Sequence, residues 1–245
     1  MDTGKRKMAE NLTKDFTEEI YKLFDKFQNN DTFCFSKFAD GEWAAMLNEN
    51  LNNSEFENTP NTPQSYRNEL INAIRFKDPD YYIGTCCHCC NGDRADKMRQ
   101  FCGQDFDHMT FANVFVNANY DIYKETFLKE YSNHDVHIVA NERSTFDDLP
   151  FKPEKIYPIG FSAWVNNHNL IDEIKQANLS NKLFLFCAGP FGNLLAHQLF
   201  EANKNNKYID AGSTLNPWLK SEGFRRDYYI EGYQSKFTNL TCTWE

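Results

Sequence analysis

The chain has 245 residues, enough to bury a large core, so a miniprotein that depends on disulfide staples is excluded. Its 26 Lys and Arg against 35 Asp and Glu give a net charge of −9, and the absence of a basic block argues against a nucleic-acid binder. Hydrophobic residues make up 41% and aromatics 16%, with 22 Phe, too much core-forming material for a disordered chain despite a mean hydropathy of −0.68.

No apolar run approaches the ~18 to 20 residues needed to span a bilayer. The start MDTGKRKMAENLTKDF lacks the apolar stretch of a signal peptide, which leads us to expect a cytoplasmic protein. From Thr13 to Phe27, the residues Phe16, Ile20, Leu23, Phe24 and Phe27 recur at helical spacing and form an apolar stripe. Strand-length apolar segments follow at Phe33 to Phe38, Tyr81 to Thr85, Val114 to Asn117, Val136 to Ala140, Lys155 to Ile159, Leu183 to Ala188 and Tyr208 to Asp210. Helical patterns lie between them at Gln64 to Phe76, Tyr120 to Tyr131, Asn169 to Ala177 and Asn193 to Asn203. This alternation predicts a single α/β domain over residues 1–245, with a mostly parallel sheet flanked by helices. The polar segment Asn48 to Pro63 reads as a surface loop near the carboxyl end of the first strand.

Chemistry is expected at that carboxyl edge. The first strand runs into Asp40-Gly41-Glu42, so two carboxylates flank a glycine where the backbone turns. Such a pair suits a hard cation, Mg²⁺ or Mn²⁺, shared with a diphosphate. It equally suits a helix start, with Asp40 as cap and Glu42 favouring the dipole. The strand ending at Ala188 passes through Gly189-Pro190-Phe191-Gly192-Asn193 into a helix, a turn whose N–H groups can face an anion. It carries neither the dinucleotide fingerprint nor a Gly-Lys-Ser/Thr loop. Asp210-Ala211-Gly212 repeats an acid and a glycine at a strand end, while Glu142-Arg143-Ser144 adds another acid beside a guanidinium fork suited to phosphate or to an ion pair. His197 and His137 read as helix-face and strand residues without a catalytic task.

Cys86-Cys87-His88-Cys89-Cys90 contains two C-x2-C spacings. A closed zinc site needs four converging ligands, which five consecutive residues do not readily provide, so Cys34, Cys102 or His108 would have to complete it. The segment reads chiefly as reduced, partly buried loop thiols. Trp164, Trp218, Tyr228, Tyr229 and Tyr233 are candidates for stacking on a sugar acceptor, although such residues also serve in cores.

Together these segments resemble the GT-D type glycosyltransferases, a family with a Rossmann-like sheet and a short D-x-E motif. Phe35 to Trp43 is similar to the family's Arg-Phe-Gly-Asp-Gly-Glu strand end, with Lys37 in place of the Arg and Ala39 in place of the first Gly. Asn141 to Ser144 is similar to a Gly-Glu-Lys-Ser element, Ala188-Gly189-Pro190 to a Leu-Gly-Pro turn, and Asp210 to Gly212 to Asp-Ile-Gly, with the resemblance running over residues 33–219. Cys86 to Cys90 departs from the family pattern, which has an apolar turn and Pro-Asp there.

The resemblance implies a transferase that moves a sugar from a nucleoside-diphosphate sugar, a UDP-sugar first among them, to a glycan or glycoprotein acceptor. Asp40 and Glu42 would hold Mn²⁺ or Mg²⁺. Lys37, Gly41, Gly189, Pro190, Gly192, Asn193, Gly212, Arg143 and Ser144 would bind the donor, and Asp210 or Glu142 would act as base. A homodimer is compatible with this reading. An S-adenosylmethionine methyltransferase is a rival weakened by the missing glycine-rich loop after the first strand, and a non-catalytic nucleotide-sugar binding module is another.

Overall fold

The computed structural model describes residues 13–29, 32–52, 56–219 and 239–245. Its elements in chain order begin with α1 (Phe16–Gln28), β1 (Cys34–Lys37), α2 (Asp40–Met46), β2 (Leu51–Asn52), β3 (Glu57–Asn58), α3 (Gln64–Arg75), β4 (Tyr81–Thr85), α4 (His88–Asn91) and α5 (Asp93–Phe101). They continue with β5 (Met109–Phe111), α6 (Tyr120–Tyr123), β6 (Val136–Asn141), β7 (Lys155–Ile159), α7 (Ala163–Asn166), α8 (Asn169–Ala177), β8 (Leu183–Cys187), α9 (Pro190–Ala202), β9 (Lys207–Asp210) and α10 (Asn216–Leu219). Seven strands form one sheet in the order β5-β4-β1-β9-β8-β6-β7, and every pairing within it is parallel. The expected α/β class and parallel sheet are therefore present.

The period-two alternation of strand side chains sorts the core into two layers. Cys34, Tyr81, Ile83, Phe184, Phe186 and Tyr208 face α3, α8 and α9, whereas Phe35, Tyr82, Leu183, Leu185 and Ile209 face α1 and the segment that begins at α6. The α1 stripe is buried at Phe16, Ile20, Leu23 and Phe27, and the Asp15 carboxylate caps the helix by accepting from the N–H groups of Thr17 and Glu18 at 2.9 Å each. The helical pattern from Tyr120 onward is present too, widened by one i→i+5 turn at Lys124–Leu128. No helix among the described residues is long and apolar enough to cross a membrane.

Three expectations are corrected. The strand expected at Val114 to Asn117 lies earlier, at Met109–Phe111, and Val114 to Val116 form turns instead. Their apolar side chains are buried because Phe115 packs against Phe35 and Phe127 at 5.0 and 4.9 Å, a burial that needs no strand partner. The segment Asn48 to Pro63 is more than a surface loop, since β2 and β3 pair antiparallel and Phe56 and Asn58 are buried. Arg67 ties this hairpin down, donating from Nη1 to Thr62 O at 2.8 Å and to Asn58 Oδ1 at 3.4 Å. Trp164, a candidate for stacking on a sugar acceptor, is instead wholly buried and donates its indole N–H to Glu57 O at 3.1 Å. Tyr228, Tyr229 and Tyr233 lie outside the described residues.

Candidate active site

In a parallel sheet the strand carboxyl ends share one edge, and here the ends of β1, β9 and β8 are adjacent. After β1 the chain turns directly into α2. The Glu42 carboxylate reaches back to accept the Ala39 N–H through Oε2 at 2.8 Å, which starts the helix. Ala39 is the cap residue, so Asp40 occupies the first helical position, not the cap. Asp40 is exposed and Glu42 is buried at 6% exposure. The helix-start role of Glu42 and a cation-binding role are compatible, because its cap uses one of two carboxylate oxygens.

Asp210 closes the neighbouring strand end. It is 3% exposed and accepts two backbone N–H groups, Lys37 N on Oδ2 and Gly212 N on Oδ1, both at 3.2 Å. Burial raises its carboxyl to about 7; Lys37 opposes that rise and Glu42 adds to it. Lys37 itself crosses Gly212, whose φ of +54° suits glycine and where an added Cβ would lie 3.3 Å from Lys37 Cδ. Cys86, at the end of β4, faces the same group of charges. Burial first, then Asp40, push its thiol up to about 12, with Lys37 opposing and Glu42 adding. Lys37, Asp40, Glu42, Cys86 and Asp210 thus form one electrostatically coupled set.

The turn after β8 supplies less anion-binding backbone than its composition implies. Pro190 has no N–H, and the Gly192 N–H is used inside the turn on Gly189 O at 2.8 Å. Gly189 adopts φ +55° and ψ −143°, and Gly192 lets the helix approach Asp210, since an added Cβ there would lie 3.3 Å from Asp210 Oδ1. Asn193 is fully buried and looks back into the sheet, its Nδ2 donating to Ser36 Oγ at 3.1 Å and Lys37 O at 2.8 Å. Its Oδ1 is buried without a hydrogen-bond partner among the described residues. Asn193 therefore holds the β1 end in place from behind.

Phe56 was not singled out by sequence reasoning. Its ring roofs both glycine turns, 3.3 Å from a Cβ built on Gly41 and 3.5 Å from one built on Gly189, and it meets Trp164 edge-on at 6.4 Å. The signal was faint, the one aromatic in a mostly polar segment. Glu142, Arg143 and Ser144 sit apart from this centre. They follow β6, three strand spacings or roughly 14 Å from β1. Glu142 and Arg143 are exposed there, and Glu142 Oε1 lies beside Gly160. The two histidines are structural: His197 packs edge-on against Phe76 at 4.7 Å, and His137 Nδ1 meets Tyr157 OH at 3.2 Å inside the sheet.

The donor set at the β1 end fits a divalent cation chemically. Asp40 and Glu42 are hard oxygen ligands, and beside them Asp210 is a buried acid whose ionisation is penalised as the site stands. A positive ion would relieve that penalty.

No protein-family model matches the chain, and a search of curated proteins finds no significant match. Solved structures do resemble it. One, described as "The highly conserved domain of unknown function 1792 has a distinct glycosyltransferase fold", superposes with a TM-score of 0.59 at 17% identity, covering 80% of this chain and 77% of that one. The selenomethionine-substituted structure of the domain of unknown function 1792 gives 0.61 at 17% identity over the same shares, 80% and 77%. "A New Glycosyltransferase (DUF1792) from Streptococcus sanguinis" gives 0.55 at 13% identity over 80% of each chain. At these identities the likeness establishes a shared fold, the one expected from the GT-D resemblance of the motifs.

Proposed function

We propose that this protein is a metal-dependent glycosyltransferase that moves a sugar from a nucleoside-diphosphate sugar to a glycan or glycoprotein acceptor. The observation that carries the reading is the coupled set Lys37, Asp40, Glu42 and Asp210, built at adjacent strand ends of a sheet shared with structures described as glycosyltransferases.

Asp40 and Glu42 would hold Mn²⁺ or Mg²⁺, which when bound supplies Lewis-acid stabilisation of the departing nucleoside diphosphate. Lys37 places a cation beside the same centre, and its backbone is fixed by Asp210 and Asn193. Asp210 serves there as a positioning group, because both of its carboxylate oxygens already accept backbone N–H groups. Gly192 lets the start of α9 pack against Asp210, and the positive dipole end of that helix would face the donor phosphates. Glu142 and Arg143 are exposed on the same sheet edge, three strands away; Glu142 is our candidate for the base, a role that requires the acceptor hydroxyl to reach from the donor's reacting carbon toward β6.

The test is hydrolysis of a panel of nucleotide sugars by the purified protein with Mn²⁺, with EDTA, and with the Asp40→Asn variant. Turnover of one donor, lost with EDTA and lost at least a hundredfold in the variant at an unchanged melting temperature, is the expected result. Equal turnover by Asp40→Asn would remove Asp40 from the metal site. Donor binding without turnover under every condition and with every acceptor tried would leave a binding module.

A further inference from the structure

The cysteine-rich turn after β4 gains a partner that its local sequence does not contain. The C-terminal residues 239–245 return to this turn, and Cys242 arrives against Cys87, Cys89 and Cys90 so that all four sulfurs lie within 4.8 Å of one another. Cys34, Cys102 and His108, which would have had to complete a zinc site, have no part in this group. Cys89 Sγ stands 3.4 Å from Cys87 Sγ and 3.9 Å from Cys90 Sγ.

We propose that Cys87, Cys89, Cys90 and Cys242 form a tetrahedral four-thiolate zinc site that clamps the C-terminal segment to the turn following β4. Zinc–sulfur bonds of ~2.3 Å in a tetrahedron place the sulfurs about 3.8 Å apart, so small side-chain movements close the observed cluster onto an ion. The Cys87/Cys90 pair has knuckle-like C-x2-C spacing and spans the single turn of α4, where Asn91 N donates to Cys87 O at 3.1 Å. A set of four soft thiolates selects zinc over the hard cation of the acidic site.

The surroundings are those of a ligand cluster. Thr243 N donates to Cys89 Sγ at 3.4 Å, Asn117 Nδ2 to Cys242 Sγ at 3.4 Å, and Asn113 Nδ2 to Cys90 Sγ at 3.8 Å. Such N–H contacts are the outer shell that orients thiolate ligands. Apolar filling accounts for Cys87 and Cys242, which are buried, but not for Cys89 and Cys90, which are exposed. The backbone is already in register, with His88 N donating to Thr243 O at 3.2 Å. Cys86, next in chain to the first ligand, sets its Sγ 3.9 Å from Phe38 O at the end of β1, so the clamp would stiffen one wall of the candidate active site.

The experiment is metal analysis of the full chain purified without chelator, by inductively coupled plasma mass spectrometry and by native against denaturing mass spectrometry. One zinc per chain is expected, retained after brief EDTA treatment and in Asp40→Asn, and lost in Cys90→Ser and Cys242→Ser. Because Cys242→Ser also disturbs a buried segment, the ligand set is read on the unaltered chain by exchanging the ion for Co²⁺. Strong thiolate-to-cobalt charge-transfer absorption with a tetrahedral visible band supports four sulfurs, and a weak octahedral spectrum overturns them. Protein that carries no metal with the four thiols freely alkylated, or iron instead of zinc, or disulfides within the cluster, each overturns the assignment.

Discussion

At the scale of the residue, Asp210 links stability to the candidate chemistry. Its carboxyl is raised from 3.8 to about 7, foremost by burial. Between those values the folded chain retains a proton that the unfolded chain has lost, so stability falls as pH rises through this window and levels off above it. Asp210→Asn removes the ionisation. Its denaturation midpoint should therefore gain on that of the original chain between about pH 4 and about pH 7, the window set by the two values. An offset constant with pH would mean that Asp210 ionises normally. The acid was legible from its place at a strand end, but its burial was not, because burial comes from Gly192 and Lys37 closing on it from distant elements. Asn193 was misleading for a related reason. Its position at a helix start looks ligand-facing, whereas its side chain turns inward to Ser36 and the β1 backbone.

At the scale of the element, the segment that forms the hairpin β2–β3 carries Phe56, whose ring covers the glycine turns. The hairpin is held by Asn58 Nδ2 donating to Glu49 O at 2.7 Å, by Arg67, and by the Trp164 indole bond to Glu57 O at 3.1 Å. Phe56→Ala removes the ring over Gly41 and Gly189 and should loosen this unit without unfolding the sheet. Faster hydrogen exchange confined to about residues 48–63, with a severalfold higher KM for the donor, is the expected outcome; global destabilisation would instead make Phe56 a core residue. Gly189→Ala tests the opposite wall. At φ +55° and ψ −143° an alanine is strained whatever the space, and denaturant titration should show a loss of about 1–3 kcal/mol. The strands and main helices could be read from the sequence because each combines an apolar run with its own period. The hairpin could not, since its two-residue strands are too short to show a period and are fixed by Arg67 and Trp164 from elsewhere. The misplaced third strand shows the same limit: Val114 to Val116 are as apolar as any strand here, yet side-chain packing alone buries them.

At the scale of the molecule, residues 239–245 close the chain onto the far layer of the core, a contact that sequence spacing does not reveal because Thr243 meets a residue 154 positions away. Trp244 is the anchor. It is 5% exposed, meets Phe111 and Phe106 edge-on at 5.1 and 5.8 Å, and lies 3.9 Å from the Arg99 guanidinium. Arg99 donates from Nη1 to Trp244 O and from Nη2 to Cys86 O, the latter at 3.1 Å, so one guanidinium joins the chain's end to the turn beside Asp40. Removing the indole leaves a cavity between two rings and exposes the face of the Arg99 guanidinium, which also pairs with Asp96 at 3.6 Å. Trp244→Ala should therefore cost about 3–5 kcal/mol, a large share of the roughly 5–15 kcal/mol that holds a domain folded. Chemical denaturation measures it directly, and a loss below about 1 kcal/mol would mean that the segment rests on the core without supporting it. Arg99→Lys separates the two roles of this contact. Lysine keeps a charge near Trp244 but has no planar fork to reach both carbonyls, so donor turnover should fall further than the melting temperature if the turn beside Asp40 is what Arg99 positions.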